Sequence, residues 1–402
     1  MASRRDLQQR VPEWVAEILP EIAAIRQRLH RNPELALHEE QTAALVRDAL
    51  AALGLAPRAP LLGTDVIALL QGARPGPNVT VRADMDALPL QEQTGRSYQS
   101  QHAGLMHACG HDGHTAMLLG TARVLCRLQA ELRGSVRFVF QPGEEIVAAG
   151  RDLVAKGALL DPAPSAVFAL HAWPGLPVGS ICSRPGPILA AAEFFKITIR
   201  GKGAHGSRPE DSVDPILTAA RVVEALQSVV SRHLSPLDSA VVSICRFTAG
   251  SNGNIIPDTA ELEGTTRCLN QSVGDRLPIL MERLIKGTCE AMGATYDFRY
   301  SGSYIPTVNA AAAVALGRRV TTALLGPAAW IDMPDPAMGG EDFAYYIRDY
   351  PGAMFLLGMG ETCAPLHNQC FDFNDAALRN GIVFMVGAVL EALADDGTAA
   401  TA

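Results

Sequence analysis

Short apolar runs alternate with amphipathic segments over most of this chain. From Thr64 onward the segments typical of short buried strands are TDVIALL, NVTVRAD, SVRFVF and AVFALH, and residues 113–130 have an amphipathic helical pattern. Strands that alternate with helices predict a mostly parallel sheet covered by helices. Two further helices are predicted at residues 12–30 and 39–53, because Pro33 breaks the helical pattern between them.

The pattern changes near Pro185, after which the predicted order is strand, helix, strand, strand, helix, strand. The members of this series are EFFKITIR, residues 215–233, SAVVSICRF, TAELEGTTRCL, residues 272–292 and TYDFRY. This order predicts a ferredoxin-like α+β unit. Asp214 and Pro215 predict the start of its first helix, since aspartate caps helix N-termini and proline suits the first helical position.

The α/β pattern returns after Tyr304 with a helix, the strand AMFLLG and a final helix at residues 375–394. We therefore predict an α/β fold whose larger domain, residues 1–186 and 304–402, carries a mixed, mostly parallel sheet flanked by helices. A smaller ferredoxin-like α+β domain, residues 187–303, is predicted to interrupt it.

Composition narrows the classes of partner. The 402 residues are 48% hydrophobic, and 34 Lys and Arg against 42 Asp and Glu give a net charge of −8. A chain of this length can bury a core without disulfides or structural metals. Nucleic acid and anionic membranes attract basic surfaces, so the negative balance argues against both and leaves small molecules or other proteins.

Two features predict a cytoplasmic protein. Glu13, Glu17 and Glu21 interrupt the N-terminal segment where a signal peptide needs an unbroken apolar run. The eight cysteines form no CxxC pair, which favours reduced thiols. The longest apolar stretch near the C-terminus, residues 382–390, is predicted to be too short to span a bilayer.

Side chains with metal-binding chemistry follow several predicted strands, where open α/β sheets bind their ligands. They are Asp84 and Asp86 after NVTVR, Glu144 and Glu145 after SVRFVF, His171 after AVFAL, His367 after AMFLLG, and His107, Cys109, His111, Asp112 and His114 in HACGHDGH at the start of the helix at 113–130. Imidazole, thiolate and carboxylate groups bind borderline divalent ions, so the cluster predicts a metal site. Each group taken alone is also typical of a solvated loop or, for Cys109, of a small buried thiol.

The adjacent Glu144 and Glu145 indicate hydrolytic chemistry. Pro142 and Gly143 end the preceding strand, so the two glutamate side chains can point in different directions. One carboxylate can then bind a metal while its neighbour takes a proton from a metal-activated water. A solvated loop stays open as the alternative for this pair taken by itself.

The segment GKGAHG, residues 201–206, fits the GxGxxG pattern of dinucleotide-binding loops but lacks their context. In those folds the third glycine packs within the helix that holds the pyrophosphate, whereas here SRPEDSV separates Gly206 from the helix near Pro215. A nicotinamide oxidoreductase is therefore disfavoured. His205 is expected on an exposed turn, either inert or presented to a substrate.

Eight motifs carry a family resemblance. In chain order they are RLHRNPELALHEE, RADMDALP, HACGHDGHTAML, QPGEE, GKGAHGSRPEDSVDP, GNIIPD, MGGEDF and PLHNQCFDFND. Over nearly its whole length the chain resembles the M20 peptidase family, in particular its amidohydrolase branch, which includes hippurate hydrolase and indole-acetyl-amino-acid hydrolases.

The resemblance implies a site for two divalent metal ions, with Mn, Co, Zn and Ni all suited to mixed ligands. The implied ligands are Cys109, His111, Glu145, His171 and His367. Cys109 takes the place of an aspartate that bridges the metals in many relatives. This implies one metal on Cys109, His111 and His171 and another on Cys109, Glu145 and His367.

Other roles carry over in the same way. Glu144 matches the family's general base and acid. Arg82 stands where other members carry a metal-binding histidine and is left out of the site. Asp84 is expected to contact a metal ligand and hold it in place without binding the metal itself. The inserted domain matches a lid that commonly also forms the dimer interface, which implies a homodimer or a dimer of dimers.

Three residues of the implied lid are expected to meet the substrate. His205 matches a lid histidine that hydrogen-bonds the scissile carbonyl oxygen, often from the partner subunit. Asn254 and Arg267 match positions associated with the substrate carboxylate, which a guanidinium binds through two parallel hydrogen bonds. An exposed structural ion pair is the alternative for Arg267.

The implied function is metal-dependent hydrolysis of N-acyl amino acids, hippurate-like or related conjugates, to a carboxylic acid and a free amino acid. The metals would polarise the amide and hold a water, Glu144 would move a proton from that water to the leaving amine, and His205 would stabilise the oxyanion. The alternatives are an exopeptidase or dipeptidase and a catalytically silent metal-binding protein. The presence of Glu144 beside all five ligands argues against the silent protein.

Overall fold

The structure, a computed structural model, describes residues 4–394. The described chain forms two compact units, the larger made of the segments up to Ile188, 308–335 and from Asp342, and the smaller of Leu189–Thr307 and Pro336–Glu341. The ends of the predicted larger domain, 1–3 and 395–402, lie outside the described residues.

Residues 336–341 differ from the predicted division, which placed them in the larger domain. They group with the smaller unit because their backbone pairs with its first residues. Ala190 N donates to Gly339 O at 2.9 Å, and Leu189 forms a parallel bridge with Ala337.

The described chain contains both long and very short strands. In chain order they are β1 (Val66–Gln71), β2 (Arg74–Asp84), β3 (Arg133–Gln141), β4 (Pro164–Trp173), β5 (Ile181–Ser183), β6 (Gly186–Leu189), β7 (Ala191–Arg200), β8 (Ala204–His205), β9 (Ala240–Ala249), β10 (Ile255–Ile256), β11 (Thr259–Cys268), β12 (Thr295–Tyr304), β13 (Thr307–Asn309), β14 (Trp330–Asp332) and β15 (Gly352–Gly358).

The helices range from four residues to 28. They are α1 (Arg4–Arg31), α2 (Glu40–Ala52), α3 (His111–Arg127), α4 (Glu144–Val147), α5 (Ala149–Ala155), α6 (Pro215–Ser228), α7 (Gln271–Met292), α8 (Ala311–Leu324), α9 (Ala344–Arg348) and α10 (Leu378–Ala394). The predicted helix at 215–233 divides into α6 and a π-helical turn at Val229–His233.

The larger unit is built on a seven-stranded sheet of order β1-β3-β2-β4-β15-β5-β14. Strands β3, β2, β4 and β15 are mutually parallel, and β14 is parallel to β5, whereas β1 and β5 run antiparallel to β3 and β15. Helices α1, α3 and α10 pack together, and α3 and α10 contact the sheet. The predicted mixed, mostly parallel sheet is confirmed, and its four central parallel strands bring their carboxyl ends to one edge.

Residues 375–394, a short 3₁₀ turn followed by α10, are the one segment among residues 4–394 that is long and apolar enough to cross a membrane. The apolar run at 382–390 is thus only part of a longer apolar segment, residues 375–394. In the structure, 78% of that apolar window is buried inside the protein, against α1, α3 and α8. Length and composition alone are therefore weak support for a membrane span here.

The smaller unit has the predicted ferredoxin-like arrangement. Its sheet has the order β12-β7-β11-β9, all antiparallel, and α6 and α7 pack together against it. Ile197 and Leu262 of the sheet and Met281 of α7 are buried in a core of their own. Helix α6 begins at Pro215 as predicted, and Asp214 accepts hydrogen bonds from the N–H groups of Ile216 and Leu217 at 2.8 and 3.2 Å.

This cap generates a prediction for stability. Asp214→Ala leaves two N–H groups at the start of α6 without their acceptor and should cost about 1 kcal/mol of unfolding free energy. Asp214→Asn, which keeps an acceptor oxygen, is the matched control and should cost clearly less. Urea unfolding followed by circular dichroism measures both, and equal losses in the two variants would contradict the capping role.

Candidate metal centre

The start of α3 brings the first two candidate ligands to the carboxyl edge of the sheet. Cys109 and His111 flank Gly110, whose φ of 91° lies in the left-handed region. A Cβ on Gly110 would lie 2.8 Å from the Cβ of Ala172, so glycine is required by both conformation and space. This turn also explains why α3 begins at His111, two residues before the predicted start.

The five candidate ligands form a connected cluster. The ligand atoms of Cys109, His111 and Glu145 lie within 4.8 Å of one another. Cys109 Sγ is 3.6 Å from His171 Nε2, and Glu145 Oε1 is 3.2 Å from His367 Nε2. His367 is about half exposed, at 54%, whereas the other four side chains are largely buried.

The distances bear on how the ligands divide between two metals. Cys109 lies next to His171, and Glu145 next to His367, as in the implied division. His111 Nε2, however, lies 3.9 Å from Glu145 Oε1, which the implied division assigns to the other metal. The division therefore stays a prediction.

The polar atoms of this cluster fit a cation. The buried His111 Nε2 makes no hydrogen bond, although unpaired buried polar atoms are costly, whereas Nδ1 faces the Asp86 carboxylate at 3.3 Å. His171 Nδ1 lies 2.7 Å from Ala172 O and so carries the proton, which turns the Nε2 lone pair toward Cys109. Nitrogen, sulfur and carboxylate donors in one buried cluster suit a borderline divalent ion.

The electrostatics of the cluster also favour positive charge. Burial raises the pKa of the Cys109 thiol well above its usual value, and the carboxylates of Glu145, Glu144 and Asp84 raise it further. Burial lowers the pKa of His111, but Asp84, Asp86 and Glu145 outweigh it and bring that pKa to about 10. Loading a divalent metal would therefore release protons from these two ligands.

Asp86 connects the candidate base to the candidate ligands. Its two carboxylate oxygens accept hydrogen bonds from the N–H groups of Glu144 and Glu145, each at 3.0 Å. The same carboxylate lies 3.3 Å from His111 Nδ1. Asp86 was predicted to follow a strand, and no role was predicted for it. Its position two residues after Asp84, on the same side of an extended chain, is the signal that identifies it.

Glu39 holds the residue before Glu144. Its Oε1 accepts hydrogen bonds from Gly143 N at 2.9 Å and Leu37 N at 3.0 Å, and its Oε2 accepts one from Thr64 Oγ1 at 2.8 Å. Burial raises the pKa of this carboxyl to about 7, with the nearby charge of Asp86 adding to it. No local pattern indicates this role, because Gly143 and Thr64 are distant from Glu39 along the chain.

Asp84 lies beside two histidines of the site, and its predicted role in holding a ligand stays a prediction. Its Oδ1 is 2.6 Å from His114 Nδ1, whereas its Oδ2 is 3.8 Å from the candidate ligand His111. Arg82 donates to Asp84 Oδ2 at 2.6 Å and to Asp342 at 2.7 Å. Asp84 and Arg82 therefore belong to a buried charge network behind the cluster.

Comparison with known proteins decides the family. A profile of peptidase family M20/M25/M40 matches residues 80–391. The chain belongs to this family. N-acetylcysteine deacetylase of Bacillus subtilis (strain 168) is 41% identical over 368 residues, covering 88% of this chain and 92% of that protein.

Two further family members are similar to the chain. N-acyl-L-amino acid amidohydrolase of Geobacillus stearothermophilus is 41% identical over 299 residues, covering 74% of this chain and 80% of that protein. The crystal structure of a Bacillus subtilis dinuclear metal-binding peptidase of the M20 family superposes with a TM-score of 0.82 at 34% identity, covering 94% and 99% of the two chains. This family member is accordingly an M20 metal-dependent amidohydrolase with a candidate metal-ligand cluster.

The other candidate residues lie in the smaller unit. His205 in β8 pairs with Ile255 in β10, and Gly206 N donates to Asn254 O at 2.8 Å, so His205 and Asn254 lie on paired segments. His205 Nδ1 accepts a hydrogen bond from Ser207 N at 3.1 Å, which leaves the ring proton of a neutral imidazole on Nε2.

The Arg267 guanidinium makes hydrogen bonds within the smaller unit. Its guanidinium donates to Met338 O at 3.1 Å and to Thr266 O at 2.9 Å, and it also contacts the Thr265 hydroxyl. Burial lowers its pKa. These contacts fix the guanidinium, and a role toward a substrate carboxylate stays a prediction.

The raised pKa of Glu39 predicts a pH-dependent stability. Its native pKa of about 7 exceeds the ordinary 4.5, so the stability contributed by its proton is present below the ordinary value and lost as the pH rises through 7. Glu39→Gln removes this titration. The melting temperature of the wild type relative to Glu39→Gln should therefore fall between about pH 5 and about pH 8.

Glu40→Gln, at an exposed neighbouring carboxyl, is the matched control. Thermal unfolding of the metal-loaded proteins at several pH values measures the effect. A difference between wild type and Glu39→Gln that stays constant over this range would contradict the assignment.

Proposed function

We propose that this amidohydrolase cleaves the amide bond of N-acyl amino acids, hippurate-like or related conjugates, to a carboxylic acid and a free amino acid. The observation that carries the proposal is the pairing of Glu144 with Glu145 at the start of α4. Glu145 lies with Cys109 and His111 in the candidate ligand cluster, and Glu144 is the adjacent carboxylate.

The proposed resident ions are two divalent metals held by the five candidate ligands, with Mn, Co, Zn or Ni suited to the donor set. When bound, such ions polarise the scissile carbonyl and lower the pKa of a nucleophilic water. The thiolate of Cys109 is proposed to contribute to both metal positions. The buried His111 Nε2, which makes no hydrogen bond, supports this arrangement.

Glu144 is proposed as the general base and acid. Successive residues of a helix point about 100° apart, so Glu144 can face the substrate while Glu145 binds metal. Asp86 anchors the backbone of both glutamates, which fixes the start of the helical turn that carries them. Glu144 would take the proton of the attacking water and pass it to the leaving amine.

The smaller unit is proposed to act as a lid and dimerisation domain. His205 Nε2–H is a suitable donor for the oxyanion that develops on the carbonyl oxygen. Asn254 and Arg267 are proposed to bind the substrate carboxylate. A homodimer or dimer of dimers with a cytoplasmic location completes the proposal.

The names of the similar proteins support the acyl amino acid class, since one is a deacetylase and one an N-acyl-L-amino acid amidohydrolase. The dinuclear M20 structure is named a peptidase, which keeps a dipeptidase as the second candidate. Both reactions use the same chemistry and differ in the group on the acyl side of the amide.

The test compares hydrolysis of N-acetyl amino acids, N-benzoyl amino acids and dipeptides by chelator-stripped enzyme with and without added Mn²⁺, Co²⁺, Zn²⁺ or Ni²⁺. Metal-dependent release of amino acid, faster from the acyl amino acids, is expected. Glu144→Gln should keep its metal content while kcat falls by about 10²- to 10⁴-fold, as expected for loss of a general base.

Mass spectrometry of the products measures turnover, and elemental analysis measures bound metal. Faster hydrolysis of dipeptides would favour the second candidate. Substantial activity in Glu144→Gln, or hydrolysis by metal-free enzyme, would contradict the proposed mechanism.

A further inference from the structure

His114 lies where strand β2 stops pairing with β4. The ladder between these strands ends at the pair of Arg82 and Ala169. Three residues further along β4, the N–H of Ala172 donates to His114 Nε2 at 2.7 Å. A side chain from α3 thus supports the end of β4 on which the candidate ligand His171 lies.

The hydrogen bonds of His114 define its tautomer. A backbone N–H only donates, so Nε2 of His114 carries the lone pair and Nδ1 carries the proton. Nδ1 donates to Asp84 Oδ1 at 2.6 Å, and Arg82 donates to Asp84 Oδ2 at 2.6 Å. Both ring nitrogens are occupied and the side chain is buried, so His114 has no lone pair left for a metal, although it lies among the candidate ligands.

Ala172 transmits this contact to His171. The carbonyl oxygen of Ala172 accepts a hydrogen bond from His171 Nδ1 at 2.7 Å. This bond directs His171 Nε2 toward Cys109 Sγ, which lies 3.6 Å away. The rings of His114 and His171 have centroids 4.6 Å apart. Ala172 therefore donates a hydrogen bond to His114 through its N–H and orients His171 through its C=O.

We propose that His114 is a positioning residue for the metal centre. It holds Ala172 so that His171 presents its Nε2 lone pair to a metal beside Cys109, while the ion pair of Asp84 with Arg82 holds His114 in turn. This inference rests on the proposed function, because it assigns His171 as a ligand. Metal-binding imidazoles usually need such an outer partner, which here acts through the backbone.

Two substitutions separate the two hydrogen bonds of His114. In His114→Gln the side-chain oxygen reaches the position of Nε2 and can accept from Ala172 N, but the link to Asp84 is lost. In His114→Asn the amide nitrogen occupies the position of Nδ1 and can donate to Asp84, but no acceptor reaches Ala172. The pair therefore tests which bond matters for metal binding.

The experiment titrates the full-length apoprotein with Zn²⁺ against a competing chelator, without substrate, and records the melting temperature of each variant. His114→Asn should weaken binding of one Zn²⁺ by about 10- to 100-fold, the usual loss for a missing outer partner. His114→Gln should bind both ions within about threefold of the wild type. His102→Asn, at an exposed histidine, is the matched control and should bind like the wild type.

Equal Zn²⁺ affinity in the Asn and Gln variants, whether normal or reduced, would overturn the positioning role. If His114→Asn does not fold, the Gln variant decides alone: retained affinity supports the inference and lost affinity overturns it. A wild type that binds two Zn²⁺ with unaffected variants overturns this inference only. A wild type that binds no Zn²⁺ overturns the proposed function as well.

Discussion

The site depends on buried donor atoms and negative charge gathered at the carboxyl ends of β2, β3 and β4. Cys109, His111, Glu145 and Asp84 converge there, and without a cation the cluster retains protons on its thiol and imidazole. The parallel sheet brings the ends of three strands to one edge, and the turn before α3 adds Cys109 and His111 there. Such a donor set suits a divalent ion.

A surrounding network of charged residues holds the candidate ligands and the candidate base in place. Asp86 and Glu39 fix the backbone around Glu144, and Asp84 holds His114. A second buried network lies behind the start of α3. There Asp112 is 2.8 Å from His30 and 3.4 Å from Arg26, and the pKa of His30 is raised to about 9 despite burial. The first turn of α3, directly after Cys109, is thus held by charge pairs at Asp112 and His114.

Much of the fold and the chemistry could be predicted from the sequence. Long strands such as β7 and β11 have clear apolar alternation, and Asp214 with Pro215 marked the start of α6. Strands of two or three residues, such as β8 and β14, were not predicted because they are too short for a periodic pattern. Glu39 and His114 act through backbone groups distant in sequence, which no local motif displays, whereas Asp86 could be found from its position two residues after Asp84. The candidate ligands carried recognisable chemistry, whereas their supports required the folded chain.

The most direct test of this account is absorption spectroscopy of the apoprotein titrated with Co²⁺. The account predicts a thiolate-to-cobalt charge-transfer band that appears with metal and is absent in Cys109→Ser. The band should persist in Cys182→Ser, a matched change at a buried cysteine of β5. Co²⁺ binding with the same spectrum in wild type and Cys109→Ser would contradict the central claim that Cys109 is a thiolate ligand in the metal centre.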